Sequence, residues 1–118
     1  MKKILVVSAA VFVALASTAM AGNVSLVAQW GKGNGQMTAQ LGSNLSYTGQ
    51  FGCKNGSLTM QSGVGNGAST VQMGHMNGAV TAQIGAMNGS MTVQTGDGHE
   101  AATAQDGTGN VSMTVQGN

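Results

Sequence analysis

The feature that most constrains this chain is a set of residue types that returns about every eleven residues. Nine of the ten glutamines, all except Gln36, are separated by eleven, ten and then six times by eleven residues. Asparagine lies six residues before each of these nine glutamines, except that His99 stands there in the eighth unit, and glycine follows two residues after each of them but the last. The glutamines are Gln29, Gln40, Gln50, Gln61, Gln72, Gln83, Gln94, Gln105 and Gln116; the asparagines are Asn23, Asn34, Asn44, Asn55, Asn66, Asn77, Asn88 and Asn110; the glycines are Gly31, Gly42, Gly52, Gly63, Gly74, Gly85, Gly96 and Gly107. A short fixed period indicates a repeat architecture.

Each unit fits one short strand followed by a turn. Eleven residues are too few for a helical repeat, and two glycines in most units disfavour a helix. In a strand, side chains two residues apart share a face, so Asn, the small residue two positions later, Thr and Gln lie on one side. The segment Gly-x-x-Asn-Gly supplies the turn, because Gly and Asn tolerate positive φ. The ten-residue interval lacks one turn residue, between Gly42 and Asn44.

Two all-β topologies are compatible with nine such units. The Asn-Gly pairs are typical of hairpins and allow an antiparallel meander. Parallel in-register stacking instead places glutamine on glutamine and asparagine on asparagine, so that side-chain amides form continuous hydrogen-bonded ladders. The repetition of identical residues favours this second topology, a β-solenoid with about two units in each rung, in which the fixed residues are ladder positions.

The first residues have the pattern of a bacterial secretory signal. Lys2 and Lys3 precede an apolar stretch over residues 4–16, and Ala19-Met20-Ala21 matches the small-residue site that a signal peptidase cuts. The sequence therefore predicts a signal peptide over residues 1–21 and one repeat domain over residues 22–118. We expect the domain to be secreted and not to be an integral membrane protein. The alternative is an uncleaved anchor.

Composition argues against catalysis and against nucleic-acid binding. Beyond residue 21 the chain has two lysines, Lys32 and Lys54, against three acids, which leaves no basic patch for a polyanion. His75 falls in a turn, and the spacing of the acids and histidines matches no standard metal site, so we predict no enzyme activity and no cofactor. Cys53 is the only cysteine, so it is either inert or links two chains. The acids, which interrupt an uncharged repeat and would repel one another if stacked, are candidate gatekeepers that slow polymerisation: Asp97, Glu100 and Asp106.

The spacing resembles the curlin repeat of bacterial curli amyloid subunits, Gln-x-Gly-x-x-Asn-x-Ala-x-x-x-Gln. Gln61, Gly63, Asn66, Ala68 and Gln72 match that pattern position by position, and similar units run from residue 23 to residue 116. The resemblance implies a strand-turn-strand solenoid with inward Asn and Gln columns. It also implies a secreted subunit of a Gram-negative-type bacterium that polymerises with itself into extracellular biofilm fibres, with a nucleator subunit and curli-type secretion machinery as further partners.

The chain departs from the curlin pattern in three ways. Nearly every unit opens with Asn, whereas curlin units alternate between Ser and Asn. The repeats begin two residues after the predicted cleavage site, where curli subunits carry a targeting segment. Third, Thr stands where many curlin strands carry an apolar residue on that face.

The sequence does not decide which face of the predicted strands points into the solenoid. Hydrophobicity alone would turn the apolar face inward, and the resemblance turns the Asn and Gln face inward. If the Thr column instead faced water, it could match an ice lattice. A soluble ice-binding β-solenoid is therefore the alternative function.

Overall fold

A computed structural model describes residues 22–118 as an all-β fold. Its strands are β1 (Val24–Lys32), β2 (Gly35–Cys53), β3 (Gly56–His75), β4 (Gly78–Ala86), β5 (Gly89–Asp97), β6 (Glu100–Thr108) and β7 (Val111–Gly117). The signal peptide predicted over residues 1–21 lies outside the described residues. In the described part there is no helix with the length and apolarity needed to cross a membrane.

The seven strands carry nine units, because β2 and β3 each continue through a corner and contain two units. One stack, here the five-strand stack, contains β1, Leu45–Cys53 of β2, Gly67–His75 of β3, β5 and β7. The opposite stack, the four-strand stack, contains Gly35–Ser43 of β2, Gly56–Val64 of β3, β4 and β6. Every pairing is parallel, so the predicted β-solenoid is confirmed and the antiparallel meander is wrong.

The register is set by the repeat. Across neighbouring rungs, each glutamine of the period pairs with another such glutamine. Each threonine two residues before one of these glutamines pairs with another such threonine, except that Thr48 also pairs with Val27. The one irregularity lies between Ser43 and Leu45, where the ten-residue interval removes a turn residue. The missing residue therefore changes only the corner, and the side chains of the stacked strands keep their register.

The core between the two stacks is polar. Ala68 and Ala79 are the buried apolar residues of the described part, whereas the Asn, Thr and Gln positions of the central rungs are almost completely buried. Large apolar side chains point outward; Leu41, for example, is 72% exposed. The inward orientation implied by the curlin resemblance is confirmed, and the orientation expected from hydrophobicity alone is wrong. Burying amides is tolerated here because a neighbour one rung away completes their hydrogen bonds.

Two positions at each corner need unusual backbone conformations. The glycine two residues after each glutamine has positive φ, and at Gly74 (φ 127°) a Cβ would overlap the carbonyl oxygen of Gly96 in the next rung. The residue before the corner Asn also has positive φ, except Ser43 at the shortened corner; the non-glycine examples are Lys54, Met76 and Met87 at 57°, 57° and 55°. The prediction that Asn itself supplies a positive φ is wrong, because the chain has already turned one residue earlier.

Candidate functional site

The glutamine side chains form two continuous hydrogen-bond chains along the solenoid. In each link Nε2 donates to Oε1 of the glutamine one rung further on, with distances of 2.6–2.9 Å. The five-strand stack links Gln29, Gln50, Gln72, Gln94 and Gln116, and the four-strand stack links Gln40, Gln61, Gln83 and Gln105. The second Nε2 proton goes to a backbone carbonyl, as from Gln72 to Gly56 at 2.9 Å. Every link has the same direction, so each chain of amides is polar.

The asparagines form columns of a different kind. Asn66 Oδ1 accepts from the main-chain N–H of Asn88 at 3.0 Å, and its Nδ2 donates to the carbonyls of Ser62 at 3.2 Å and Gly85 at 3.0 Å. The predicted ladder of asparagine side chains bonded to each other is therefore wrong. The asparagine side chain is one methylene shorter than glutamine and begins beside a corner, where main-chain groups lie within its reach. The column joins rungs by fixing the corners, and not by linking amides.

Two asparagine columns run along the corners. The first contains Asn23, Asn44, Asn66, Asn88 and Asn110, and the second contains Asn34, Asn55, Asn77 and His99. In both columns, each Oδ1 accepts from the main-chain N–H of the following member. The final acceptor of the first column, Asn110 Oδ1, has no partner within residues 22–118.

His99 takes the place of an asparagine, a role that the sequence analysis did not assign to it. Its main-chain N–H donates to Asn77 Oδ1 at 3.0 Å. Its Nε2 lies 3.1 Å from the carbonyl oxygen of Thr95 and 3.2 Å from Asn118 Oδ1. Both neighbours are oxygen acceptors, so in the neutral ring Nε2 carries the proton and Nδ1 is an acceptor, as asparagine Oδ1 is. The period alone could have indicated this role, because His99 stands at an asparagine position.

The threonine column lies inside the solenoid. Thr48, Thr59, Thr70, Thr81 and Thr92 are each at most 1% exposed. The hydroxyls of Thr48, Thr59 and Thr70 have no hydrogen-bond partner in the described part of the chain. An ice-binding surface built on this column would need the threonines outside, and in this fold they are not there.

The three acids occupy three different columns. Asp97 stacks on His75, with Oδ1 and Nδ1 3.2 Å apart at an exposed corner. Glu100 stacks on Gly78, and Asp106 stacks on Ile84. No carboxylate has another carboxylate as its neighbour in the next rung, so the repulsion expected between stacked acids is absent within one chain. Their action as gatekeepers stays a prediction.

The only cysteine lies in the same corner column as the contact between His75 and Asp97. Lys32, Cys53, His75 and Asp97 follow one another through successive rungs of the five-strand stack. Cys53 is a free, half-buried thiol. Over residues 22–118, no three His, Cys, Asp or Glu side chains are grouped so that they could hold a metal ion.

The outer faces carry shallow apolar grooves that run along the stacking direction. On the four-strand stack a groove follows the column Gly35, Gly56 and Gly78, beside Met37 and Leu58. On the five-strand stack a second groove is lined by Leu45, Tyr47, Gly67, Met91 and Met113. These grooves exist because each unit places a small residue next to a large outward one, and stacking repeats the step in every rung.

The two ends of the solenoid expose complementary groups. At the N-terminal end, β1 and Gly35–Ser43 each have a neighbouring strand on one side only. At the C-terminal end, the same holds for β6 and β7. Within the described residues Oε1 of Gln29 and Gln40 accepts no hydrogen bond, and Gln105 and Gln116 each keep one Nε2 proton undonated. One end therefore presents amide acceptors and the other presents amide donors.

Comparison with known proteins gives this chain no family. No protein-family model matches it, and no curated protein sequence matches it.

Proposed function

We propose that the chain is a secreted structural subunit that polymerises end to end into curli-like functional amyloid fibres. The observation that carries the proposal is the pair of glutamine chains, whose undonated protons at Gln105 and Gln116 complement the free acceptors at Gln29 and Gln40. A second copy added at either end extends both glutamine hydrogen-bond chains and pairs the open strand edges. The partner is then another copy of the same chain.

The distribution of charge supports the same direction of assembly. Lys32 and Lys54 lie in the first half of the solenoid, and Asp97, Glu100 and Asp106 lie in the last units. Joining the C-terminal end of one copy to the N-terminal end of another brings opposite charges together. Joining two like ends brings like charges together.

The outward apolar side chains fit a role in an extracellular matrix. Among the exposed large residues are Trp30, Met37, Leu41, Ile84 and Met113, which are 57–72% exposed. Contiguous apolar surface of this kind is typical of a surface that associates with others. Lateral packing of fibres and adhesion in a biofilm would use these outer stripes. A nucleator subunit and curli-type export remain implied by the resemblance to curlin repeats. No observation favours the ice-binding alternative, whose threonine column is buried.

Seeded growth tests the proposal. Residues 22–118 are diluted from denaturant with and without fragments of preformed fibre, and growth is followed by sedimentation. In the variant Gln105→Met/Gln116→Met the volume of the side chains is kept and the two free N–H donors are removed. We expect its elongation on wild-type seeds to be slower by on the order of tenfold or more, because each missing hydrogen bond at a buried joint costs about 1 kcal/mol or more.

The matched control changes the exposed neighbours of the same two glutamines. Ala104→Met/Val115→Met adds or exchanges apolar groups on the outer face of the same two strands. This variant should elongate at close to the wild-type rate. Equal rates for the two variants, or no seeded growth of the wild-type chain, would contradict the proposal.

A further inference from the structure

We propose that successive copies of the segment 22–118 join head to tail with a half turn about the solenoid axis, so that the stack with five strands changes side from one copy to the next. This inference rests on the proposed polymerisation. In the joint, β1 of the next copy pairs with β6, and Gly35–Ser43 of the next copy pairs with β7.

The polarity of the columns allows only head-to-tail addition. Every glutamine Nε2 donates toward the C-terminal end, so that end presents N–H donors and the N-terminal end presents Oε1 acceptors. The asparagine columns are polar in the opposite sense, since Asn110 Oδ1 is an acceptor at the C-terminal end. Contact between two C-terminal ends would set donor against donor in the glutamine chains and acceptor against acceptor in the asparagine columns. Contact between two N-terminal ends fails in the same way.

The unequal stacks decide the rotation. Consecutive units alternate between the stacks, so each unit rises by half a rung, and residues 22–118 place five strands on one side and four on the other. If the next copy is added without rotation, its β1 lies over β7, but its Gly35–Ser43 lies two rungs above β6. One strand is then missing from the four-strand stack. The gap leaves two strands of nine residues each with an unpaired edge inside the fibre.

A half turn removes that gap. The next copy's β1 then occupies the missing position above β6, and its Gly35–Ser43 continues above β7. Each unit again follows the previous one by half a rung, as it does within one chain. Both strand edges at the joint are paired, and backbone groups buried inside a fibre require such partners.

The side chains at the rotated joint match the interior pattern. Gln105 meets the next copy's Gln29, and Gln116 meets its Gln40, so both amide chains continue without interruption. The next copy's Asn23 follows His99 in its column, and its main-chain N–H faces Nδ1, which is the acceptor left by the contacts of Nε2.

The charges on the outer face of the joint also fit. Trp30 of the next copy stacks on Asp106, which places Lys32, two residues further along the same face, within reach of that carboxylate. Nine half-rungs make four and a half rungs, so each copy of residues 22–118 advances the fibre by about 22 Å at about 4.8 Å per rung.

Thiol crosslinking between copies tests the rotation directly. Two variants, both also carrying Cys53→Ser, share Leu26→Cys and differ in the second site, Ala102→Cys or Met113→Cys. All three positions face outward. In the half-turn joint Leu26 of one copy lies one rung from Ala102 of its neighbour. Without rotation it lies one rung from Met113, and the alternative pair is then on the opposite side of the solenoid.

Fibres of each variant are treated with a short reagent that joins two thiols, and the linked chains are counted after dissolution. We expect the Ala102→Cys variant to crosslink on the order of tenfold more than the Met113→Cys variant, because only neighbouring strands about 4.8 Å apart are within reach. More crosslinking through Met113→Cys, or equal crosslinking of both, would overturn the half turn while leaving the proposed fibre function standing. Failure of the wild-type chain to form fibres would overturn the proposed function itself, and the joint with it.

A chain of eight units provides the matched control. Residues 22–109 end before the ninth unit and place four strands on each side, so copies join without a gap and without rotation. In that chain Leu26→Cys should crosslink to Met91→Cys and no longer to Ala102→Cys. A partner at Ala102 in both lengths of chain would show that the number of units does not set the rotation.

Discussion

Replacing a central ladder glutamine by alanine should destabilise the solenoid far more than the same change at its end. Gln72 has no exposed surface and makes three hydrogen bonds through its side chain. It accepts from Gln50 Nε2 at 2.8 Å, and it donates to Gln94 Oε1 at 2.8 Å and to the carbonyl of Gly56 at 2.9 Å. Gln72→Ala removes all three bonds and leaves their partners inside the core.

The size of the loss follows from the three unpaired partners. A buried polar group without a partner costs about 1–3 kcal/mol, and rearrangement recovers part of that cost. We therefore expect Gln72→Ala to lower the free energy of unfolding by about 3–6 kcal/mol. Gln116→Ala should cost only about 1 kcal/mol, because Gln116 lies in the end strand and water can replace its bonds to Gln94 and Glu100.

Unfolding by denaturant, followed by far-ultraviolet circular dichroism on freshly diluted monomer, measures both values. Gln72→Met separates the two contributions, since it keeps most of the side-chain volume and removes every hydrogen bond. We expect this variant to lose nearly as much stability as Gln72→Ala. The reasoning is refuted if Gln72→Ala costs no more than Gln116→Ala, or if Gln72→Met is as stable as the wild-type chain.

Three further substitutions test the corners and the polar core, each by the same unfolding measurement. Gly74→Ala should lower the free energy of unfolding by about 3 kcal/mol or more, because it combines a positive φ with overlap on the Gly96 carbonyl. The control Gly67→Ala, where a Cβ meets open space, should cost less than about 1 kcal/mol, and similar losses for the two variants would contradict the account of the corners. Met76→Gly should raise the free energy of unfolding by about 0.5–1 kcal/mol, because glycine removes the strain of the left-handed conformation at φ 57° and this gain exceeds its cost in chain entropy. A loss of stability would show that the contacts of the methionine side chain outweigh the backbone strain. Gln72→Glu should strongly destabilise the protein at neutral pH, because its carboxylate would face the acceptor Gln94 Oε1, and stability should return as the pH falls, because a carboxylic acid can donate to that oxygen. Stability that does not depend on pH would contradict the observed direction of the glutamine hydrogen bonds.

Most of the fold could be predicted from the period of the sequence. Identical residues at constant spacing predict in-register parallel strands, and the structure has them from Val24 to Gly117. The corner glycines were also predictable, since their positions repeat with the glutamines. The face of the strands that points inward was not predictable from hydrophobicity, because the rule that apolar side chains are buried assumes that buried amides lack partners. In a stack of identical units the partner is always present one rung away.

The contacts that could not be predicted from the sequence depend on the geometry of the rungs. The bonds of Asn66 to the main chain follow from side-chain length and corner position, which the period does not encode. The pairing of His75 with Asp97 joins residues 22 positions apart, which is one full rung. A comparison of residues at that separation, once two units per rung were assumed, would have placed the pair in one column. The same comparison would have shown that the acids do not stack on one another.

X-ray diffraction from aligned fibres of residues 22–118 tests the central claim most directly. Polymerisation through the glutamine chains requires strands perpendicular to the fibre axis and two sheets face to face. The account predicts a meridional reflection at about 4.7–4.8 Å and an equatorial reflection near about 10 Å. A chain that stays a folded monomer in dilute buffer, or forms assemblies without these two reflections, would contradict it.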